Sequence, residues 1–143
     1  MSIQGYERSL YQTYLRAVPM FSHCTPDELE EIAEVASTRA VPQGDAIVRE
    51  GDPGEEFFVL CTGEVEVVRG RRVVAKLEEG AFFGEIALFA DEPRDATVNA
   101  LVPSNLVVLT RANFDTLLSD VPSLRDQVLR GMARRLHELD GKC

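Results

Sequence analysis

The chain lacks the segments and residue clusters that mark membrane proteins, secreted proteins and metal-binding proteins. Its 143 residues contain no apolar run that approaches the roughly 20 residues of a membrane helix. The opening MSIQGYERSL has no apolar centre of a signal peptide. The three cysteines and two histidines show no ligand spacing such as CxxC. We therefore expect a cytoplasmic protein with no metal site and no membrane span.

Positive charge is also scarce, because 15 lysines and arginines face 24 aspartates and glutamates and leave a net charge of −9. Nucleic-acid recognition usually needs a basic stripe, so we expect no DNA binding by this chain. A hydrophobic content of 45% argues against disorder. The length suits one core, and we expect a single domain over residues 1–143.

Short strand-like runs fill the middle of the chain, about residues 38–109. The runs AIVRE, FFVLC, EVEVV, VVAKL and NLVVLT are β-branched or aromatic and are separated by turn signals such as PQGD, GDPG and RGRR. Many short strands at even spacing are typical of a sandwich or closed barrel. Helical patterns flank them, at about 4–37 and 111–140, so the predicted class is α+β, with a β-roll between two pairs of helices.

The helix starts are marked by capping residues. Residues 6–16 have helical spacing of apolar side chains, and Thr25 with Glu28 forms a capping box for the next helix. Thr110 caps a third helix. The fourth is expected to begin at Pro122 and to end at Gly141.

The last predicted helix carries an apolar stripe. A glycine in its middle, Gly131, costs about 1 kcal/mol relative to alanine and makes the helix easier to loosen. The stripe is too short for a stable coiled coil, so we expect a monomer or a weak homodimer. The stripe consists of Leu129, Met132, Leu136 and Leu139.

The segment FGEIALFADEPRDATV, residues 83–98, combines apolar residues with a lone arginine, Arg94, among acids. Glu85 opens a helix that is too short to be stable alone, and the free N–H groups at a helix start attract anions. Arg94 would offer such an anion a planar fork of donors. Glu85 suits a sugar hydroxyl. The segment therefore predicts a pocket for a phosphorylated sugar with a free hydroxyl.

This segment resembles the phosphate-binding cassette of the cyclic-nucleotide-binding domain family. GDPGEEFFVLCTGEVEV resembles the family's preceding hairpin, and VPMFSHCTPDELEEIA resembles its N-terminal helices. The resemblance covers about residues 17–118. It implies an eight-stranded antiparallel β-roll of the jelly-roll type, with the cassette at 83–98. It also implies a cyclic-nucleotide ligand, and the absence of a hydroxyl side chain at position 95 favours cAMP over cGMP.

The resemblance also implies roles for single residues. Glu85 would hold the ribose 2′-hydroxyl, Arg94 would pair with the cyclic phosphate, and Gly84 would let the ribose approach closely. For Arg94, the alternative to phosphate binding is a structural ion pair with Asp91 or Glu92. Glu85 has the alternative of an ordinary helix-start residue. The main-chain N–H groups at positions 87 and 95 would contact phosphate oxygens. The predicted ligand-binding set is Gly84, Glu85, Ile86, Ala87, Arg94, Asp95 and Ala96.

Asp95 departs from the family pattern, which has a small residue at this position. A carboxylate about 4 Å from a phosphate oxygen would repel it by up to ~4 kcal/mol at an effective dielectric constant near 20. Two arrangements are open. Asp95 turns away and pairs with an arginine, or the pocket prefers another ligand or binds weakly.

Several functions fit the resemblance. The favoured one is a stand-alone sensor that signals to an unknown protein effector through its C-terminal helix, which would act as a lid with Met132, Arg134 or Arg135 near the base. A transcription activator would need a further domain after the last helix, and the sequence ends at Cys143. No nucleophile–base pair accompanies Glu85, so no enzyme is expected. A degenerate domain that serves protein interaction is the alternative.

Overall fold

The protein forms a β-roll with helices before, within and after it. The structure, a computed structural model, describes residue 15 and residues 19–141, except for the side chains at 19, 86, 89 and 135–141. A short 3-10 turn, Pro19–Phe21, precedes the first described α-helix. The helices are α1 (Pro26–Val35), α2 (Glu85–Ala90), α3 (Arg111–Asp120) and α4 (Pro122–Gly141). The strands are β1 (Ser37–Val41), β2 (Ala46–Val48), β3 (Glu56–Thr62), β4 (Glu64–Arg69), β5 (Arg72–Glu78), β6 (Phe82–Phe83), β7 (Thr97–Ala100) and β8 (Ser104–Thr110).

The eight strands form two four-stranded sheets. The first has the order β1-β8-β3-β6 and the second has the order β2-β7-β4-β5. Every recorded strand pair is antiparallel. This arrangement confirms the predicted α+β class and the eight-stranded antiparallel β-roll. No helix in the described part of the chain is long and apolar enough to cross a membrane.

Strands β3, β6 and β8 of the first sheet are largely buried, and their successive side chains point to opposite sides of the sheet. On β3, Phe57 and Val59 belong to the core that the sheet shares with the helices, whereas Phe58 and Leu60 belong to the core inside the roll. The two phenylalanines of β6 divide in the same way. The strand that leads into the cassette is therefore anchored in both cores.

The predicted helix starts agree with the structure wherever they can be compared. Thr25 and Glu28 make both hydrogen bonds of the capping box. The hydroxyl of Thr110 accepts a hydrogen bond from the main-chain N–H of Asn113 and caps α3. The predicted helix at residues 6–16 lies outside the described residues, apart from Leu15, which is fully buried.

The predicted stripe on α4 is wrong at Leu129, which is 52% exposed. The face that packs on the domain carries Leu124 and Val128, both fully buried, followed by Gly131 and the partly buried Met132. Spacings of four and three residues keep these positions on one side of a helix, and this side excludes Leu129. The side chains of Leu136 and Leu139 lie outside the described part of the helix.

Candidate ligand-binding site

The candidate site forms where β6 turns into α2. Gly84 adopts φ +97° at the start of α2, and this left-handed conformation favours glycine. A β-carbon at Gly84 would lie 2.9 Å from Nη1 of Arg94 and 3.0 Å from the carbonyl oxygen of Glu56. Gly84 is thus needed both for the turn and for the close approach of Arg94.

Arg94 is buried and holds two segments of main chain together. Its Nη1 donates to the carbonyl of Gly84 at 3.0 Å, and its Nη2 donates to the carbonyl of Glu56 at 2.6 Å. The side chain is 7% exposed. Its guanidinium carbon lies 5.7 Å from the centre of the Phe58 ring, within the range of a cation–π contact.

No carboxylate of a described residue forms an ion pair with Arg94. The carboxylate of Glu56 is bound by Arg39 at 2.8 Å, and Asp91 lies 3.4 Å from Arg111. The alternative of an ion pair between Arg94 and Asp91 or Glu92 therefore has no support. Burial lowers the pKa of the Arg94 guanidinium, while the nearby carboxylates of Glu56 and Glu85 oppose part of this shift. Arg94 is a desolvated cation whose direct hydrogen-bond partners are neutral carbonyls.

The other predicted site residues surround this cation. Glu85 is fully buried in the first turn of α2, which is uncommon for a carboxylate. Ala87 and Ala96 are also buried. The main chain of Ile86 lies within α2, and its side chain is not described.

The loop before β3 is the second wall of the site. The N–H of Gly51 donates to the carbonyl of Arg94, and the N–H of Arg94 donates to the carbonyl of Asp52, both at 2.8 Å. A β-carbon at Gly54 would overlap Ala87 and lie 3.4 Å from the Arg94 guanidinium. The sequence indicates turn glycines at both positions, with the positioning of the loop near the base as a second role for Gly54. Gly51 fits that interpretation, with φ +91° and open space around it, whereas Gly54 is a packing position of the site.

Asp95 adopts the first of the two arrangements left open by the sequence. Its Oδ2 lies 3.1 Å from Nη2 of Arg69, and its carbonyl accepts a hydrogen bond from Nε of Arg69 at 3.2 Å. The carboxylate is 66% exposed, unlike the neighbouring Arg94. The carboxylate that departs from the family pattern is thus paired with an arginine on the adjacent strand β4.

Arg111 contributes contacts that sequence reasoning missed. Its Nη1 donates to the carbonyl of Leu88 in α2 at 3.1 Å, and its Nη2 donates to the carbonyl of Gly54 at 2.7 Å. Its guanidinium also lies 3.5 Å from Glu55. The sequence shows only an arginine after a capping threonine, and no local signal points to partners 23 and 57 residues away.

A cleft of about 230 Å³ opens beside the cassette, between the loop of Gly51 and Gly54 and the residues that follow α2. Arg111 lines it, whereas Glu85 and Arg94 do not. The chemistry expected of an anion site belongs to the buried Arg94, so we define the site by Arg94 and its neighbours and not by this cleft.

The residues predicted to close over a base lie on α4. Met132 packs against the core beneath the helix, and Arg134 is exposed. The side chain of Arg135 lies outside the described residues. Their contact with a ligand stays a prediction.

Comparison with known proteins identifies the family. The family model of the cyclic nucleotide-binding domain matches residues 38–120. A cAMP-dependent protein kinase regulatory subunit from Hypocrea atroviridis is 36% identical over 134 residues, which cover 93% of this chain and 29% of that protein. The chain thus belongs to the cyclic nucleotide-binding domain family, a family of regulatory binding domains. It spans 25% to 35% of the length of the first curated relatives it matches.

Solved structures show the same fold. The regulatory domain of Toxoplasma gondii PKA, solved with cAMP, has a TM-score of 0.78 and 28% identity, covering 89% of this chain and 50% of that chain. The regulatory subunit of a cAMP-independent protein kinase A from Trypanosoma brucei has a TM-score of 0.78 and 25% identity, covering 86% and 46%. The fold therefore occurs in proteins described both as bound to cAMP and as independent of it.

Proposed function

We propose that this chain is a cyclic-nucleotide sensor domain that binds cAMP in preference to cGMP. The observation that carries this proposal is Arg94, a buried guanidinium that donates to main-chain carbonyls and forms no ion pair with a described carboxylate. Desolvating a charge is costly unless a partner of opposite charge compensates. A cyclic phosphate would supply that partner, and its single negative charge matches the single cation.

Glu85 and the surrounding main chain complete the proposed ligand contacts. Its buried carboxylate is an acceptor for the ribose 2′-hydroxyl, and main-chain N–H groups at Ala87 and Asp95 are donors for phosphate oxygens. Gly54 and Gly84 keep the surrounding walls free of side-chain atoms. Ile86 and Ala96 belong to the same cassette. The family membership supports these roles, and so does the relative solved with cAMP.

The alternative is a degenerate domain with another ligand or with none, which serves protein interaction. The cAMP-independent relative from Trypanosoma brucei favours keeping this alternative. Titration calorimetry of the purified chain with cAMP, cGMP and 5′-AMP separates the two. We expect heat from cAMP, less affinity for cGMP and little for 5′-AMP, whose phosphate carries more charge. No heat from any nucleotide near 1 mM, which corresponds to about 4 kcal/mol of binding free energy, would favour the degenerate domain.

We further propose that α4 transmits the ligand signal to a protein effector in the cytoplasm, with the chain as a monomer or weak homodimer. Gly131 of α4 lies against Phe82, two residues before Gly84, so a shift of the cassette and a shift of α4 are mechanically linked. Hydrogen exchange with and without cAMP tests this. Protection that changes in α4 on ligand addition supports the proposal, and equal protection in both states contradicts it.

A further inference from the structure

Asp95 accepts two hydrogen bonds from one arginine, one at its carboxylate and one at its main-chain carbonyl. Arg69, the last residue of β4, reaches Oδ2 of Asp95 with Nη2 and the carbonyl of Asp95 with Nε. Both the side chain and the main chain of Asp95 are therefore oriented by the same planar guanidinium. The pair is more than half exposed, so we expect it to contribute little to the stability of the fold.

The position of Arg69 is fixed by contacts that do not involve Asp95. The N–H of Gly70 donates to Oε1 of Glu50 at 2.9 Å, and the N–H of Glu50 donates to Oγ1 of Thr97 at 2.9 Å. Val68 of β4 pairs with Thr97 of β7. The hairpin end that carries Arg69 is thus anchored to the strand that leaves the cassette, and it presents the guanidinium to Asp95.

Asp95 directly follows Arg94, yet the two side chains have opposite environments. Arg94 is buried at the carbonyls of Gly84 and Glu56, whereas Asp95 is exposed beside Arg69. A carboxylate released from Arg69 could rotate toward an anion bound at Arg94. A unit charge about 4 Å away in a water-like dielectric changes affinity by about fivefold.

We propose that Arg69 is a positioning residue that keeps the carboxylate of Asp95 away from the bound phosphate, so that the pair sets the affinity of the site. This inference rests on the cyclic-nucleotide function proposed above. Arg69 thus affects ligand affinity only when Asp95 is present. The pair itself contributes little to the stability of the fold.

A double-mutant cycle tests the inference, with cAMP titrated calorimetrically at about 50 mM salt, where screening is weak. The variants are R69A, D95A and R69A/D95A. We expect R69A to bind about fivefold more weakly than wild type, and R69A/D95A to bind within about twofold of D95A, because neither of these two proteins carries the repelling carboxylate. Raising the salt to about 0.5 M should shrink the R69A defect, which a purely structural defect would not do.

The matched control is Arg71→Ala. Arg71 lies in the same hairpin and carries the same charge, but its side chain makes no ion pair or hydrogen bond within the described residues. We expect R71A to bind like wild type, and R69A to keep the wild-type melting temperature. A defect of R69A that persists in R69A/D95A, or wild-type affinity of R69A, overturns the inference. Binding by D95A without binding by wild type also overturns it but leaves the proposed function intact, whereas no binding by any variant overturns both.

Discussion

Gly131 of α4 lies directly against the ring of Phe82. A β-carbon at Gly131 would overlap the ring atoms Cζ and Cε2. Phe82 is the first residue of β6, and its ring also lies 5.7 Å from that of Phe57 in β3. The glycine that the sequence indicates as a weak point of α4 is therefore the position at which this helix approaches the strand leading into the cassette.

Gly131→Ala is predicted to destabilise the domain. Helix propensity alone would stabilise α4 by about 1 kcal/mol. The added methyl group meets a buried aromatic ring, and overpacking of this kind costs about 1–3 kcal/mol. We expect a net loss of up to about 2 kcal/mol in the free energy of unfolding, measured by urea denaturation.

Two variants control this measurement. Ala133→Gly, at an exposed position of the same helix, measures the cost of a glycine in α4 without any change in core packing. Phe82→Leu removes ring atoms, so G131A should cost less in that background. A stabilised G131A, or an equal cost in both backgrounds, would contradict the packing argument.

Stability should fall above pH 9 because of Cys61. Burial raises the pKa of its thiol from the ordinary 9.0 to about 11. The folded state thus holds this proton more tightly than the unfolded state. The stabilising contribution of the protonated thiol is fully present below pH 9. It is lost as the pH rises through about 11, which lowers the free energy of unfolding by up to about 2–3 kcal/mol. Urea denaturation from pH 8 to 11 should show a shallower fall for Cys61→Ala, and parallel curves would exclude Cys61 as the cause.

The parts of the fold that the sequence predicts are those with local signals. Thr25 and Glu28 lie three residues apart, so their capping box can be recognised without knowledge of the fold. The strict alternation around Val65 likewise predicts a strand with one buried face, and Val65 is fully buried. The cassette is also contiguous, so its residues can be assigned together.

The remaining contacts depend on which distant segments meet. The pairing of Arg69 with Asp95 spans 26 residues and follows from the register of β4 and β7. The predicted stripe on α4 fails at Leu129 because the helix packs through Leu124, Val128 and Gly131, a face that depends on the position of the distant Phe82. Leu129 is exposed as a result, although its hydrophobicity favours burial.

Glu85→Gln is predicted to reduce discrimination between cAMP and 2′-deoxy-cAMP. The wild-type carboxylate should favour the ligand with a 2′-hydroxyl by about 1.5–3 kcal/mol, the range of hydrogen bonds to charged groups. The variant keeps the shape of the buried side chain and loses its charge. Calorimetry of wild type and variant with both ligands gives the coupling free energy between the Glu85 carboxylate and the 2′-hydroxyl. The assignment of Glu85 to the ribose fails if the two ligands bind wild type equally.

Arg94→Ala is predicted to abolish most cyclic-nucleotide affinity. Removing the buried partner of a charge typically costs several kcal/mol, which corresponds to a loss of at least about a hundredfold. Arg71→Ala is the neutral control for the change in charge, and circular dichroism verifies that R94A is folded. Wild-type affinity of R94A, measured by calorimetry, would place the anion elsewhere.

Arg111→Ala is predicted to loosen the cassette without removing its phosphate contact. The side chain joins the carbonyl of Leu88 in α2 to the carbonyl of Gly54 in the facing loop, so its removal releases both segments. At 30% exposure we expect a cost of about 1.5–2 kcal/mol in the free energy of unfolding, the lower part of the range for charged donors. Affinity for cAMP should fall by less than in R94A.

Arg125→Ala, at an exposed position of α4, is the matched control for Arg111→Ala, because its side chain has no hydrogen bond or ion pair with the described residues. Hydrogen exchange should accelerate in the cassette helix α2 and in the loop before β3 of R111A, and should stay unchanged in R125A. Equal exchange of these two segments in R111A and wild type would mean that the α2 carbonyl and the loop are held by their main-chain contacts alone. Arg111 would then be dispensable for the shape of the site.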